Sequence, residues 1–335
     1  MKTKVLASHA GGYPRPPEWR KSVDAYNSKK IDYKALMRNW ELQTSLVIFE
    51  QLEENLDVLT TGNLNWDDPF RPFAQAWDGL ELPEVGGYYR FYELNFYYKR
   101  PIVVGEIKPT YPVLYYEQKL LKDLNGRASK VVIPGPLTFA LHVDNKHYPT
   151  MKSLIRDITL ALTVEIDMVK DLIDYVQIDE PALVDPEVSD ELKALAINFI
   201  NELSTLLSEK KVILKTYFKP AADVYHMLSG LEVDGLGFDV VNWNYEDLKE
   251  TLSENDYTFS ILDLGVADAL NVKLEPVEES VGKIMSLLDE IYVKELHLSH
   301  NYRLDLLPYS HIRKKLRRLS EIAINLRRRL TEEVE

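Results

Sequence analysis

Two adjacent acids, Asp179 and Glu180, end the apolar run "VQIDEPALV" (176–184), and Pro181 stops it. Successive strand side chains point to opposite faces, so one acid of such a pair faces a cleft while the other binds backbone or a neighbouring element. We assign Asp179 to the cleft and Glu180 to structure. A second polar anomaly is Lys215, set inside "VILKTYF". An ammonium buried without a partner is costly, so an acid must lie against it, and Asp239 at the end of the next apolar run is the expected one. Two readings of the pair stay open: a structural ion pair, or a reactive amine with its acid. "HLSH" places His297 and His300 at i and i+3, which point opposite ways in a strand. They read as core or supporting histidines, and no metal site is expected. "GGYPRPPEWRK" (11–21) is a glycine-rich loop that turns basic through Arg15, Arg20 and Lys21. Glycines let a loop approach a ligand, and clustered cations hold carboxylate or phosphate. Its spacing fits neither a P-loop nor a dinucleotide fingerprint.

The elements that must position these groups alternate. Short runs rich in Val, Ile and Leu lie at 4–8, 57–62, 130–135, 175–179, 212–217, 235–241, 258–265 and 295–300. Such runs suit strands buried on both faces. Helical patterns cover 33–54, 148–173, 189–209, 220–229, 245–254, 276–290 and 309–331, with Asp190, Pro276 and Ser280 near helix starts. Eight strands alternating with helices predict an α/β fold, a single (β/α)8 TIM barrel spanning 1–335. Reactive groups of such barrels sit at the C-terminal strand ends. Here those ends carry His9, Gly11, Gly12, Asn63, Gly135, Asp179, Lys215, Tyr217, Asp239, Asp263, His300 and Tyr302. Residues 63–129 break the rhythm with "GGYYRFYELNFYYKRPIVVGEI", which reads as an inserted Tyr-rich hairpin, followed by a helix at 112–124.

Composition narrows the partners. The net charge of −13 repels nucleic-acid phosphate, so no nucleic-acid partner is expected. The basic run Arg313–Arg329 reads as a solvated helix face. The sequence contains no cysteine, hence neither disulfide nor thiolate ligand. The opening apolar run, "VLA", is too short for a signal peptide, and no run approaches a membrane span. A soluble cytoplasmic protein without a membrane partner is the expectation.

Several of these segments together resemble the cobalamin-independent methionine synthase family, whose members move a methyl group from a methyltetrahydrofolate polyglutamate to homocysteine on two similar barrels. "VQIDEPAL", "IPGPLTFAL" and "RPIVVGEI" resemble its signature strands. "GYPRPPEWRK", "GNLNWDD", "KTYF", "LGFDVV" and "LDLGVADALN" are most similar to the N-terminal, zinc-free half, and the likeness covers nearly the whole chain. The resemblance implies that Arg15, Arg20 and Lys21 contact the folate's glutamate tail. It also implies that Asn63, Trp66, Asp68, Asp179 and Tyr302 bind substrate. In the family's catalytic half, zinc is held by a His-x-Cys pair, a Glu and a later Cys, and the "IDEP" aspartate holds the substrate amine. Matched onto this chain, the zinc positions fall at Lys215, Tyr217, Asp239 and Tyr302, so no metal ligand set is expected. The family's homocysteine-binding Gly-Ser loop is Gly11-Gly12 here. The resemblance implies no cofactor held by this chain itself, a methyltetrahydrofolate or related pterin as ligand, and a separate zinc-bearing methionine synthase barrel as partner. Two alternatives remain: a metal-free enzyme using Asp179, Lys215 and Asp239, and a non-catalytic assembly module.

Overall fold

The computed structural model describes residues 3–124, 126–255 and 257–332. Eight parallel strands form the barrel wall: β1 (Lys4–Ala7), β2 (Val58–Leu59), β3 (Ala128–Pro134), β4 (Tyr175–Asp179), β5 (Lys211–Lys215), β6 (Gly235–Asp239), β7 (Ile261–Ala267) and β8 (Glu295–His300). Their order is β1-β8-β7-β6-β5-β4-β3-β2, and a parallel bridge between Ser8 and Val58 joins the two ends. Asp57 N–H to Ala7 O (2.8 Å) and His9 N–H to Val58 O (3.0 Å) complete that seam. Every apolar run of the sequence thus supplies a wall strand, as the (β/α)8 expectation requires.

Two shells of apolar side chains explain why these strands are apolar on both faces. Leu6, Val58, Tyr175, Ile213 and Ile261 pack together inside the barrel. The larger shell lies between the strands and the surrounding helices. Four of those helices start where a side chain satisfies an orphan N–H: Asp32 accepts from Ala35, Thr150 from Ser153, Ser189 from Leu192 and Asn244 from Glu246. The expected helix 148–173 is Met151–Asp167 followed by a 3-10 turn at Lys170–Leu172, and the one expected at 220–229 shrinks to two short turns.

Two segments correct the sequence reading. The stretch 11–21 is a loop only as far as Pro16; Pro17–Asn27 is a helix. Proline is tolerated in a first helical turn, and Trp19 buries its ring and donates Nε1–H to Leu64 O at 2.8 Å, anchoring that turn. The insertion is also more than a hairpin. Tyr88–Arg90 and Tyr97–Lys99 do pair antiparallel. A second small sheet joins Trp77–Glu81 to Ile102–Pro109 and then to Asp144–Asn145, which lies beyond β3. Asp68 ties this insertion down. Its carboxylate accepts from the N–H groups of Phe70 (3.0 Å), Arg71 (2.8 Å) and Lys99 (3.1 Å), and from Arg71 Nε at 3.1 Å.

The C-terminal helix Tyr309–Glu332 is held across the outside by another acid. Glu54 caps the helix Tyr33–Glu53 and accepts from Arg313 Nε (2.9 Å) and Arg317 Nε (2.8 Å), and its carbonyl accepts from Ser320. The carboxylate is buried while both arginines are half exposed. We therefore expect Glu54→Ala to lower unfolding free energy by about 2 kcal/mol, between the surface and buried ion-pair limits. Breaking the exposed Lys283–Glu279 pair by Lys283→Ala costs under about 0.5 kcal/mol. Urea denaturation midpoints check both.

Candidate functional site

The C-terminal strand ends converge on an ion cluster. Neighbouring strands set Asp179 level with Lys215, Lys215 level with Gly237, and Gly237 level with Asp263. A Cβ on Gly237 would lie 2.9 Å from Lys215 Cγ, so the glycine leaves a lane across β6. Lys215 Nζ passes along it and donates to Asp263 Oδ1 (2.8 Å), Ser299 Oγ (2.5 Å) and the His300 carbonyl (2.9 Å). This corrects the expected partner: Asp263, not Asp239, is the counterion. Asp239 lies two residues above the lysine's level, where loop donors reach it first. It accepts from Phe218 N–H, Val241 N–H, Asn242 N–H and Asn242 Nδ2.

A second lysine shares the same acid. Lys130 on β3 is fully buried, donates to Ser8 Oγ at 2.8 Å, and lies 4.0 Å from Asp263 Oδ2. Burial pushes its pKa down to about 8, while the two lysines draw that of Asp263 down to about 2 against its own burial. The sequence reading passed over Lys130, although a lysine inside "SKVVIP" carries the same signal as Lys215.

The two acids of β4 part as strand alternation dictates. Glu180 turns to the backbone, accepting from Leu137 N–H (2.9 Å), Thr138 N–H (2.7 Å) and the Thr138 hydroxyl, and burial raises it to about 7. Asp179 faces the mouth and accepts from Gln177 Nε2 at 2.7 Å. Burial raises it to about 6, opposed by that bond and by Lys215, Lys130 and Arg303. Asp179 lines a narrow cleft together with Gly12, Asn63, Trp66, Phe70, Phe91, Thr138, Tyr217 and Arg303. Gly12 leaves room for Arg303: a Cβ there would sit 2.7 Å from Arg303 Nε, whose guanidinium is paired with Asp305. Arg303 was not legible as a site residue, since nothing local distinguishes it.

A second, outer cleft is lined by Arg15, Arg20, Asp67, Phe96 and Asp305, and it shares Asn63 and Trp66 with the first. Arg15 is braced by Leu64 O (2.8 Å) and Asp67 (2.8 Å), whereas Arg20 is exposed and makes no ion pair among the described residues. Three expected ligand contacts lie elsewhere. Lys21 is 77% exposed beside Glu18, Asp68 is taken up by the insertion, and Tyr302 is buried behind the cleft against Tyr217 and Phe218. Glu117 was missed entirely: from the helix Tyr115–Leu124 it lies buried behind the shared wall, accepting from Thr61 Oγ1 (3.0 Å) and Trp66 Nε1 (3.2 Å).

Zinc does not fit the residues present. At the positions matched to zinc ligands, Lys215 offers only donors, Tyr217 and Tyr302 are buried phenols whose ionisation burial opposes, and Asp239 is saturated by N–H groups. Among the described residues, no group of three or more His, Cys, Asp or Glu could hold a metal ion, and no helix is long and apolar enough to cross a membrane. His297 donates its Nε2–H to the Glu295 carboxylate (2.8 Å) inside the barrel, and His300 is fully buried.

Comparison with known proteins fits this architecture. The profile described as "cobalamin-independent synthase, N-terminal domain" matches residues 87–291. The chain is 28% identical over 300 residues to the methionine synthase of Sulfolobus acidocaldarius, covering 89% of this chain and 85% of that one. It is 25% identical over 319 residues to the 5-methyltetrahydropteroyltriglutamate–homocysteine methyltransferase of Bacillus subtilis, covering 85% of this chain but 41% of that protein. The structure of a B12-independent methionine synthase from Shewanella sp. W3-18-1 superposes with a TM-score of 0.82 at 18% identity, over 98% of this chain and 100% of that one, which shows the shared fold. With its barrel, its strand-end motifs and a family profile matched over more than half its length, the chain belongs to the cobalamin-independent methionine synthase family, on the side of the N-terminal domain.

Proposed function

We propose that this methionine-synthase-like barrel binds the pterin methyl donor and presents it to a separate, zinc-bearing barrel that carries homocysteine. The observation that carries this reading is the pair of clefts meeting at Asn63 and Trp66. The inner one offers aromatic walls and one carboxylate, suited to a flat heterocycle with N–H donors. The outer one offers Arg15 and Arg20, suited to a tail of carboxylates. The curated relative from Bacillus subtilis is named for a pteroyltriglutamate donor, a molecule of that two-part shape.

The electrostatics of Asp179 favour a neutral ring over an amino-acid ammonium. Lys215, Lys130 and Arg303 all act on its carboxylate, so part of its charge is already answered, while Asp263 and Asp305 offset these cations in turn. Neutral N–H donors take the hydrogen bonds the carboxylate still accepts. With no soft donor at the mouth, activation of a thiol falls to another protein.

Four outcomes test the reading. Methyl transfer from methyltetrahydrofolate triglutamate to homocysteine should be faster for this chain mixed with a zinc-bearing methionine synthase barrel than for that barrel alone. An unchanged rate, or methionine formed by this chain unaided, refutes the division of labour. In calorimetry, Arg15→Ala and Arg20→Ala should each weaken triglutamate binding by roughly threefold to tenfold. Affinity should rise as pH increases through about 6, because ionised Asp179 accepts where the acid does not, and Asp179→Asn should flatten that rise. Sodium borohydride with small aldehydes or ketones should trap no adduct at Lys215, whose three N–H donors already meet three acceptors. A trapped adduct would instead favour the metal-free enzyme.

A further inference from the structure

The wall shared by the two clefts contains a hydrogen-bonded chain whose protons can be placed in two ways, and Glu117 decides between them. Thr61 Oγ1 lies 2.9 Å from Asn63 Oδ1 and 3.0 Å from Glu117 Oε2. A hydroxyl has one proton and cannot donate to two acceptors at once. With Glu117 protonated, its O–H donates to Thr61, Thr61 donates to Asn63 Oδ1, and Asn63 Nδ2 is left for the clefts. With Glu117 ionised, Thr61 must donate to the carboxylate. Asn63 Oδ1 then faces an oxygen with no proton between them, and the amide turns so that Nδ2 donates to Thr61 and Oδ1 faces the clefts. Trp66 Nε1–H donates to Glu117 Oε1 in both states.

We propose that Glu117 is a positioning residue which, through Thr61, decides whether Asn63 offers the ligand a donor or an acceptor. The inference deepens the pterin-site reading and rests on it for the identity of the ligand, but the relay itself can be read without one. Asn63 suits this role: it adopts a left-handed backbone conformation (φ 50°) at the tip of the turn after β2, lines both clefts, and its Nδ2 has no partner among the described residues. In the protonated state the wall presents an N–H toward the carboxylates and carbonyls of an acidic ligand.

The surroundings place the switch near neutral pH. Burial raises the Glu117 carboxyl to about 7, with Thr61 and Trp66 pulling the other way. Its helix packs on the helix Tyr33–Glu53, on β3 and on the turn Lys170–Leu172. Of the charged groups these elements carry, Glu50 is bonded to Tyr13 and Tyr309, Glu53 to Arg313, Lys130 to Ser8 and Lys170 to Asp167, and none of them acts on Glu117.

The test follows the Trp66 indole N–H and the Asn63 amide resonances by ¹⁵N NMR across pH 5.5–8.5, on the whole chain without ligand. Both should move together with one midpoint near 7. In Glu117→Gln neither should move, since a glutamine accepts from Trp66 and donates to Thr61 at every pH. In Thr61→Val the indole should still titrate while Asn63 no longer does. An Asn63 response that persists in Glu117→Gln, or an indole that titrates in the unmodified protein while Asn63 stays fixed, overturns the relay. In a second arm, affinity for methyltetrahydrofolate triglutamate should fall roughly tenfold between pH 6.5 and 8 in the unmodified protein and stay flat in Glu117→Gln. A pH-independent affinity in the unmodified protein refutes the coupling. No binding at all removes the pterin reading while the NMR arm still judges the relay.

Discussion

One aspartate serving two lysines organises the mouth of this barrel. Asp263 meets Lys215 at 2.8 Å and Lys130 at 4.0 Å, in a region where all three are shut off from water. Such buried charge gains little over an apolar core of the same shape, but it penalises every arrangement that separates the partners. The neighbouring geometry follows from that penalty. β6 must carry glycine at 237 so that the Lys215 side chain can cross it, and Ser299 must sit where it can both receive from the lysine and donate to Asp263 at 2.5 Å. The register of β5 through β8 is thereby fixed at the level where the site begins.

The barrel was legible because its strands are buried on both faces, and that burial writes itself as apolar runs whose number and spacing leave few folds open. The helix at Pro17 was hidden for the opposite reason. Its prolines and charges look like loop, and its single deep anchor, Trp19, bonds a carbonyl 45 residues away. The site was half legible. Asp179 and Glu180 separate as strand alternation alone requires. The choice between Asp239 and Asp263 for Lys215 was beyond a single sequence, because it depends on inter-strand register and on an empty lane at Gly237. Arg303 and Glu117 have no local signature: each acquires its place through contacts made by segments far off in the chain.

The same charge arrangement governs what the cleft can hold. Lys215 and Lys130 share Asp263, Arg303 pairs with Asp305, and all three cations also act on the Asp179 carboxylate, whose pKa burial raises to about 6. A family strand that in the zinc-bearing half is matched to the holding of an amine is here set among cations. Lys215 and Lys130 thus answer part of the Asp179 charge from within the protein, against the burial that raises its pKa. The replacement of soft ligands by an amine and phenols therefore does more than remove a metal site. It sets a lysine ammonium level with Asp179 on the next strand, so the acid of the "IDEP" turn answers a charge that belongs to the protein itself.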